Sequence, residues 1–315
     1  MNDTITHIGQ VGAALFADLH CHTQFSDGSL SPAEVVSLAM ERGLRVLAIT
    51  DHDSIGGWFE ASRTAAQAQA QARAAVGFPS LKIIPGVEIN TAWLGGEIHM
   101  LGYFDPRVLE LHESGGTSAE AQRIAALDHT LNVLRHKRVE RAHAIVDKLR
   151  GLGVDIVWEH VEGLVSGPSV GRSHIARALV ERGAASSARE AFGLYLNAGA
   201  AAYVPNYNIQ PVDAIRLIRD SGGVPVLAHP KSTDPEVLCD WVDAGLAGLE
   251  VWHPDHSATQ TDTLLKWTER AGVLATGGSD FHGFGLHAEL GAFGVDEERA
   301  QRLIGKLATA VIPAL

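Results

Sequence analysis

The segment ADLHCHTQFSDGSL, residues 17–30, sets two imidazoles, His20 and His22, two positions apart and follows them with the carboxylate of Asp27. An apolar run from Leu15 to Leu19 leads into it and reads as a buried strand. On a strand, residues i and i+2 face the same side. His20 and His22 are therefore expected to aim together, and paired neutral imidazoles are a natural beginning for a metal site. Taken alone, the pair equally fits a strand end with two solvated histidines, so the rest of the chain has to decide. Cys21 should point away from the pair and reads as core, as does Cys239.

Ligand-type residues recur at the same place in other segments. LAITDHD (47–53), PVLAHP (225–230) and ATGGSDFH (275–282) are apolar runs that end in His or Asp. GVEIN (86–90) carries Glu88, and GEIHMLGY (96–103) carries His99. In barrel-like α/β folds the catalytic residues sit at the C-terminal ends of the strands. Unrelated, separately satisfied histidines do not account for so many ligand types in one position.

The elements that must carry these residues alternate. SPAEVVSLAMERG (31–43) opens with Ser31, Pro32 and Glu34, a capping box with proline at the first helical position. RVLAIT (45–50) is a buried strand, and the alanine-rich WFEASRTAAQAQAQARAAV (58–76) favours helix. LKIIPGVEI (81–89) and EIHMLGYF (97–104) read as the next strands. From about 105 to 200 the pattern is helical, as in AALDHTLNVLRHKRVERAHAIVDKLRGLG (125–153), SHIARALVERG (173–183) and SSAREAFGLYLNAG (186–199). Strand and helix alternate again from PVDAIRLIRDSGGVPVLAHP (211–230) through GLEVWHP (248–254) to GVLATGGSDFH (272–282). Such alternation implies a parallel sheet or barrel.

With 315 residues, 46% of them hydrophobic, the chain has ample core, and its length suggests about two domains. No apolar run reaches the roughly 18 residues of a membrane helix. The first residues lack the basic start and cleavage site of a signal peptide. Two cysteines make no disulfide framework, so a cytoplasmic setting without membrane contact is expected. The net charge of −12 argues against long or duplex nucleic acid as a partner. It leaves small phosphorylated substrates open, because bound cations reverse the local field.

His20-x-His22, TDHD (50–53), LAHP (227–230) and GSDFH (278–282) together resemble the motifs of the PHP family, named for polymerase and histidinol phosphatase. The resemblance covers about 17–103 and 203–285. It implies a distorted (β/α)7 TIM-like barrel from residues 1–104 and 201–315, with 105–200 as a helical insertion covering the active site. It also implies two to three divalent ions. Carried over by position, the ligands would be His20, His22, Glu88 and Asp280 for one ion, and Asp27, His52 and His282 for a second. Glu88, His99 and His229 would hold a third, with Glu88 bridging. Many members have histidine where Asp27 stands; a carboxylate is harder and favours Mn²⁺ or Mg²⁺ over Zn²⁺ a little. Mn²⁺ is the expected ion, with Mg²⁺, Fe²⁺ and Zn²⁺ as alternatives.

VGRSHIARALVERG (170–183), AYVPNY (202–207) and GGVPVLAHP (222–230) resemble the branch acting on nucleoside 3′,5′-bisphosphates and on short RNA from the 5′ end. That implies a phosphohydrolase removing a 3′-phosphate, with a small nucleotide or short single-stranded RNA as partner. A histidinol-phosphate phosphatase is the alternative, against which the GRSHIARAL helix counts. A non-catalytic polymerase module is a third reading, disfavoured by the full ligand set.

Three carboxylates and six neutral imidazoles carry about −3, so three divalent ions would leave about +3, suited to a phosphate dianion. Ions roughly 3.5–4 Å apart can share a bridging hydroxide, the expected nucleophile for in-line attack. Arg172 follows a glycine and opens a helix, where a guanidinium and a helix N-terminus would both favour phosphate. Ser173 stands beside it, and His174 is either a substrate contact or a helix cap. Arg138 and Arg141 lie one turn apart and face either the cleft or solvent. His253 and His256 follow a strand end and could protonate a leaving group or serve only the loop. Asp51 and Asp53 flank His52, and one of them is expected to orient it.

Overall fold

Seven strands follow one another around a single sheet: β1 (Ala17–Asp18), β2 (Val46–Ile49), β3 (Lys82–Trp93), β4 (Gly96–Tyr103), β5 (Val224–Leu227), β6 (Gly248–Trp252) and β7 (Leu274–Gly277). They belong to a computed structural model that describes residues 15–72, 80–94, 96–205, 209–230, 235–283 and 288–310. Beyond β7 the chain returns to β1. The Leu19 amide donates to the Gly277 carbonyl (3.2 Å), Asp280 to His20 (2.9 Å) and His22 to Phe281 (2.8 Å), curling the sheet into a nearly closed barrel. Gly278 permits this approach, because a Cβ there would overlap the His20 backbone.

The sheet is mixed rather than parallel. β4 runs antiparallel to both β3 and β5, while the other pairs are parallel. The step from Trp93 to Gly96 is a hairpin turn, far too short for a parallel crossover, which takes a dozen or more residues. The result is a distorted TIM-like barrel.

Helices surround it. α1 (Pro32–Glu41) begins with the expected capping box: the Glu34 amide donates to Ser31 Oγ and the Ser31 amide to Glu34 Oε2 (2.8 Å). α2 (Gly56–Ala72) follows β2, and α3 (Pro106–Glu113) follows β4. α8 (Pro211–Asp220) buries Ala214, Ile215 and Ile218, and Ile218 fills the space left by Gly102 on β4. α9 (Pro235–Ala244), α10 (Ala258–Ala271) and α11 (Glu297–Ala310) complete the layer. Alternation along β2 is clean: Leu47 and Ile49 pack with Trp58 and Trp241 in one cluster, while Val46 and Ala48 join Leu101, Tyr103 and the α11 residues Leu303 and Leu307 in another. Cys21 is core, as expected; Cys239 is exposed, because α9 buries Leu238 and Trp241 and turns the intervening position to solvent.

Between β4 and β5 lie α4 (Ala119–Gly151), α5 (Trp158–Glu162), α6 (Arg172–Glu181), α7 (Ala188–Ala191) and a π-helical turn, Phe192–Leu196. The 33 residues of α4 span about 50 Å. Its first half packs Ile124, Leu127, Leu131 and Leu134 into the barrel–helix cluster. Its second half packs Ile145 and Leu149 with Val161, Ile175, Leu179 and Leu196 in a separate cluster. Among the described residues, no helix is long and apolar enough to cross a membrane.

Candidate metal centre and active-site cavity

Every strand of the barrel delivers at least one imidazole or carboxylate to one end. His20 and His22 come just after β1, His52 after β2, Glu88 from β3, His99 from β4, His229 after β5, Glu250 from β6, and Asp280 and His282 after β7. All but His99 and His229 are buried. His20 and His22 do aim together, with their Nε2 atoms 3.2 Å apart.

Three groups form. His20 and His22 Nε2 lie 3.4 and 3.1 Å from Glu88 Oε2 and 3.3 and 3.2 Å from Asp280 Oδ1. His282 Nε2 lies 3.3 Å and His52 Nε2 3.9 Å from Asp27 Oδ1, and His22 also reaches this group. His99 Nδ1 and His229 Nε2 lie 2.7 and 3.3 Å from Glu88 Oε1. Glu88 thus gives one oxygen to the first group and the other to the third.

The atoms fit divalent cations. Asp27 Oδ1, Glu88 Oε2 and His52 Nδ1 are buried without a hydrogen-bond partner. Native interiors rarely leave such atoms bare. Nitrogen and carboxylate oxygen together suit a first-row divalent ion. Burial raises the Glu88 carboxyl, but His52, His99 and His20 outweigh it and hold the group well below the usual range. Asp27 is held down the same way by His282 and His52. Burial drives His52 down to about 3 against the opposing pull of Glu88 and Asp27. For His22 and His99 burial is outweighed by carboxylates, Asp280 and Glu88 for the first and Glu88 for the second. Each rises to about 9.

Further contacts fix these side chains. His20 Nδ1 sits 3.1 and 3.2 Å from the two Glu250 oxygens, and the His229 amide donates to Glu250 Oε2 (2.9 Å). Asp51 accepts from the Thr23 amide, Thr23 Oγ1 and Ser26 Oγ at 2.7–2.8 Å, and Ser26 Oγ lies 3.3 Å from His22 Nδ1. Asp51 therefore steadies the His22 loop, and Asp53 pairs with Arg138 instead. Neither orients His52, contrary to expectation, because folding brings each a closer partner from another element: Thr23 and Ser26 from the loop after β1 for Asp51, and Arg138 from α4 for Asp53. Asp53, His229 and Asp280 have φ of 50°, 29° and 51°, a left-handed backbone that costs a non-glycine residue energy and marks imposed geometry.

A cavity of about 440 Å³ opens above the centre, within the range that holds a small ligand (roughly 300–1,000 Å³). Arg138, Arg141, Arg172 and Ser173 line it. Arg172 is the first residue of α6, whose approach needs Gly171, since a Cβ there would overlap the Asp27 carboxylate. Arg141 and Arg172 converge on one carboxylate: Arg172 Nη2 donates to Glu97 Oε2 at 2.8 Å, and Arg141 Nη2 to Glu97 Oε1. His174 does not line the cavity; its Nδ1 accepts the Gly171 amide (3.1 Å) and caps α6. His253 lines the cavity with Nε2 3.5 Å from Asp280 Oδ2. His256 lies outside the lining and its Nδ1 meets the Val251 carbonyl at 2.9 Å. Tyr207, at the end of AYVPNY, lies outside the described residues.

A barrel that collects imidazoles and carboxylates in three adjoining groups at one end is the scaffold of a metal-dependent phosphoesterase. The chain belongs to the PHP domain family, whose signature matches residues 18–202. It is 33% identical to the "5′-3′ exoribonuclease" of Haemophilus influenzae over 84% of this chain and 89% of that one. It is also 33% identical to the "3′,5′-nucleoside bisphosphate phosphatase" of Chromobacterium violaceum over 84% and 86%. A solved structure from Bifidobacterium adolescentis, described as a metal-dependent phosphoesterase, superposes with a TM-score of 0.78 at 30% identity, covering 93% of this chain and 96% of that one. The protein is a hydrolase of phosphate esters.

Proposed function

We propose that the protein removes the 3′-phosphate of nucleoside 3′,5′-bisphosphates and trims short RNA from the 5′ end to nucleoside 5′-monophosphates. The observation that carries this reading is the pair of guanidinia, Arg141 and Arg172, gathered on Glu97 in the cavity that also holds Glu88 and Asp280. A bisphosphate offers two anionic anchors, and such a cavity offers two seats. The names of the relatives point the same way.

In this reading His20, His22, Glu88 and Asp280 hold one ion, Asp27, His52 and His282 a second, and Glu88, His99 and His229 a third. Mn²⁺ suits this donor set best. The ions would supply Lewis acidity and an activated water. The chain does the rest. Arg172 and Arg141 grip the phosphate that is not cut, so that binding energy becomes orientation of the one that is. Ser173 and Arg138 add polar contacts on the same wall. His253 is the proton donor to the leaving 3′-oxygen, since it lines the cavity with Nε2 3.5 Å from Asp280 Oδ2; burial lowers it, and Glu250 and Asp280 raise it above its ordinary value. Residues 105–200 cover the cleft, and in RNA the 5′-phosphate takes the arginine seat.

The test is kcat/KM for adenosine 3′,5′-bisphosphate against adenosine 3′-monophosphate and histidinol phosphate. A preference of at least tenfold for the bisphosphate is expected. Equal use of all three would make this a general phosphatase.

A further inference from the structure

The two walls of the cavity differ in chemistry. Every lining residue from the barrel is polar, from Asp27, His52 and Glu88 round to Asp280 and His282. Among the described residues, every apolar member of the lining comes from the helical segment: Ala142, Ile145, Val170 and Ile175, which are buried in its own cluster, and Ala188 and Phe192, which keep exposed surface. The contrast is unexpected on phosphate chemistry alone. Phosphate and metal ligands offer nothing for an aliphatic or aromatic surface to cover, a ribose offers only the edge of a small ring, and apolar surface left wet costs roughly 25 cal/mol per Å².

Phe192 is the centre of this wall. Its neighbour Ala191 is fully buried in the helical cluster, and so is Leu196, while Phe192 itself is only half-buried and turns to the cavity. It opens the π-helical turn, closed by the Asn197 amide donating to the Phe192 carbonyl at 2.9 Å. Inserted π turns cost helical regularity and recur at functional sites. The Arg172 guanidinium carbon stands 5.8 Å from the Phe192 ring centroid, so the ring adjoins the proposed phosphate anchor. Arg189 and Asn197 lie at the same wall with polar ends.

We infer that this helical wall, centred on Phe192, is the seat of the substrate's nucleobase. The inference rests on the nucleotide reading above and deepens it: the reacting phosphate lies at the carboxylate–imidazole end, the other on Arg141 and Arg172, and the flat ring of the base lies on Phe192. Stacking engages the π-face that every base shares, so the wall takes purines and pyrimidines alike. It also supplies what a single-nucleotide stepping enzyme needs, a grip on each base that is indifferent to sequence.

Mn²⁺-loaded wild type, Phe192→Ala and Phe192→Leu are compared on adenosine 3′,5′-bisphosphate and on its abasic analogue, 1,2-dideoxyribose 3,5-bisphosphate. Calorimetric binding of adenosine 5′-monophosphate and ribose 5-phosphate is measured in parallel, with thermal melts to confirm folding. Wild type should favour the nucleotide over the abasic analogue at least tenfold in kcat/KM. Phe192→Ala should cut that ratio at least fivefold, and Phe192→Leu, apolar but without a π-face, should restore only part of it. A ratio unchanged by Phe192→Ala overturns the inference, as does wild type that binds ribose 5-phosphate as tightly as the nucleotide. If neither bisphosphate is hydrolysed but adenosine 5′-monophosphate still binds in a Phe192-dependent way, the base seat stands and the substrate reading falls.

Discussion

Replacing Arg172 by alanine probes the two-anchor arrangement directly. Arg141, Arg172 and Glu97 together carry two cations and one anion, a net +1. Without Arg172 the remaining pair is neutral, so the seat loses its surplus charge rather than a fraction of it. A hydrogen bond to a charged group contributes about 1.5–3 kcal/mol, and about 1.4 kcal/mol is tenfold in affinity. That places the loss for adenosine 3′,5′-bisphosphate between roughly 10- and 150-fold in kcat/KM. Arg172 is 22% exposed, so solvent screening favours the lower part of that range. Arg172→Lys keeps the charge but loses the planar fork and should fall between wild type and alanine. The assay is steady-state kinetics on the bisphosphate and on adenosine 3′-monophosphate, read as the ratio of the two. If alanine lowers kcat/KM by the same factor for both, Arg172 contacts the reacting phosphate or none, and the arrangement is refuted.

Other outcomes follow from the same geometry. Asp280→Ala should abolish turnover and lower bound metal by elemental analysis, from two to three ions per chain, while the thermal transition stays cooperative; unchanged kcat would remove Asp280 from the centre. Glu250→Gln should weaken Mn²⁺ affinity about 10- to 100-fold by loosening His20 and His229, yet leave kcat near wild type at saturating Mn²⁺. In chelated protein His22 and His99 titrate near 9, above the ordinary histidine value, so their ion pairs stabilise the fold fully below about pH 6.5 and lose that effect as pH climbs to about 9. Mn²⁺ must displace those protons, so its apparent affinity should move the opposite way, rising with pH and levelling near 9, and calorimetry in buffers of different ionisation enthalpy should detect proton release.

Much of the centre can be read from apolar runs that end in His or Asp, because a strand end is a local feature of the chain. The two carboxylates that sequence reasoning passed over have no such local mark. Glu250 meets His20 across 230 positions, and Glu97 meets Arg141 and Arg172 across 44 and 75. Glu97 did leave one clue: it stands two residues before His99 on a strand, the same spacing that singles out His20 and His22. The direction of β4 was also legible, since the few residues between NTAW and GEIH allow only a hairpin. Asp51 and Asp53 misled for the opposite reason. Adjacency to His52 suggested a partnership, yet Thr23, Ser26 and Arg138, brought near by folding, claimed both carboxylates.

The reversed strand β4 has a geometric consequence. Glu97 and His99 share one of its faces, with Glu97 Oε2 3.8 Å from His99 Nε2, so the residue that holds the two arginines and the proposed metal ligand are spaced by one strand repeat, about 6.8 Å. A loop can lengthen or drift, but a paired strand cannot stretch, and a one-residue slip would put Ile98 in their place. β4 is in effect a ruler with two marks. In the proposed reading such an enzyme would select substrates by the distance between their two phosphates, and changing the reach of a side chain at a mark, as Glu97→Asp would do, should retune that distance.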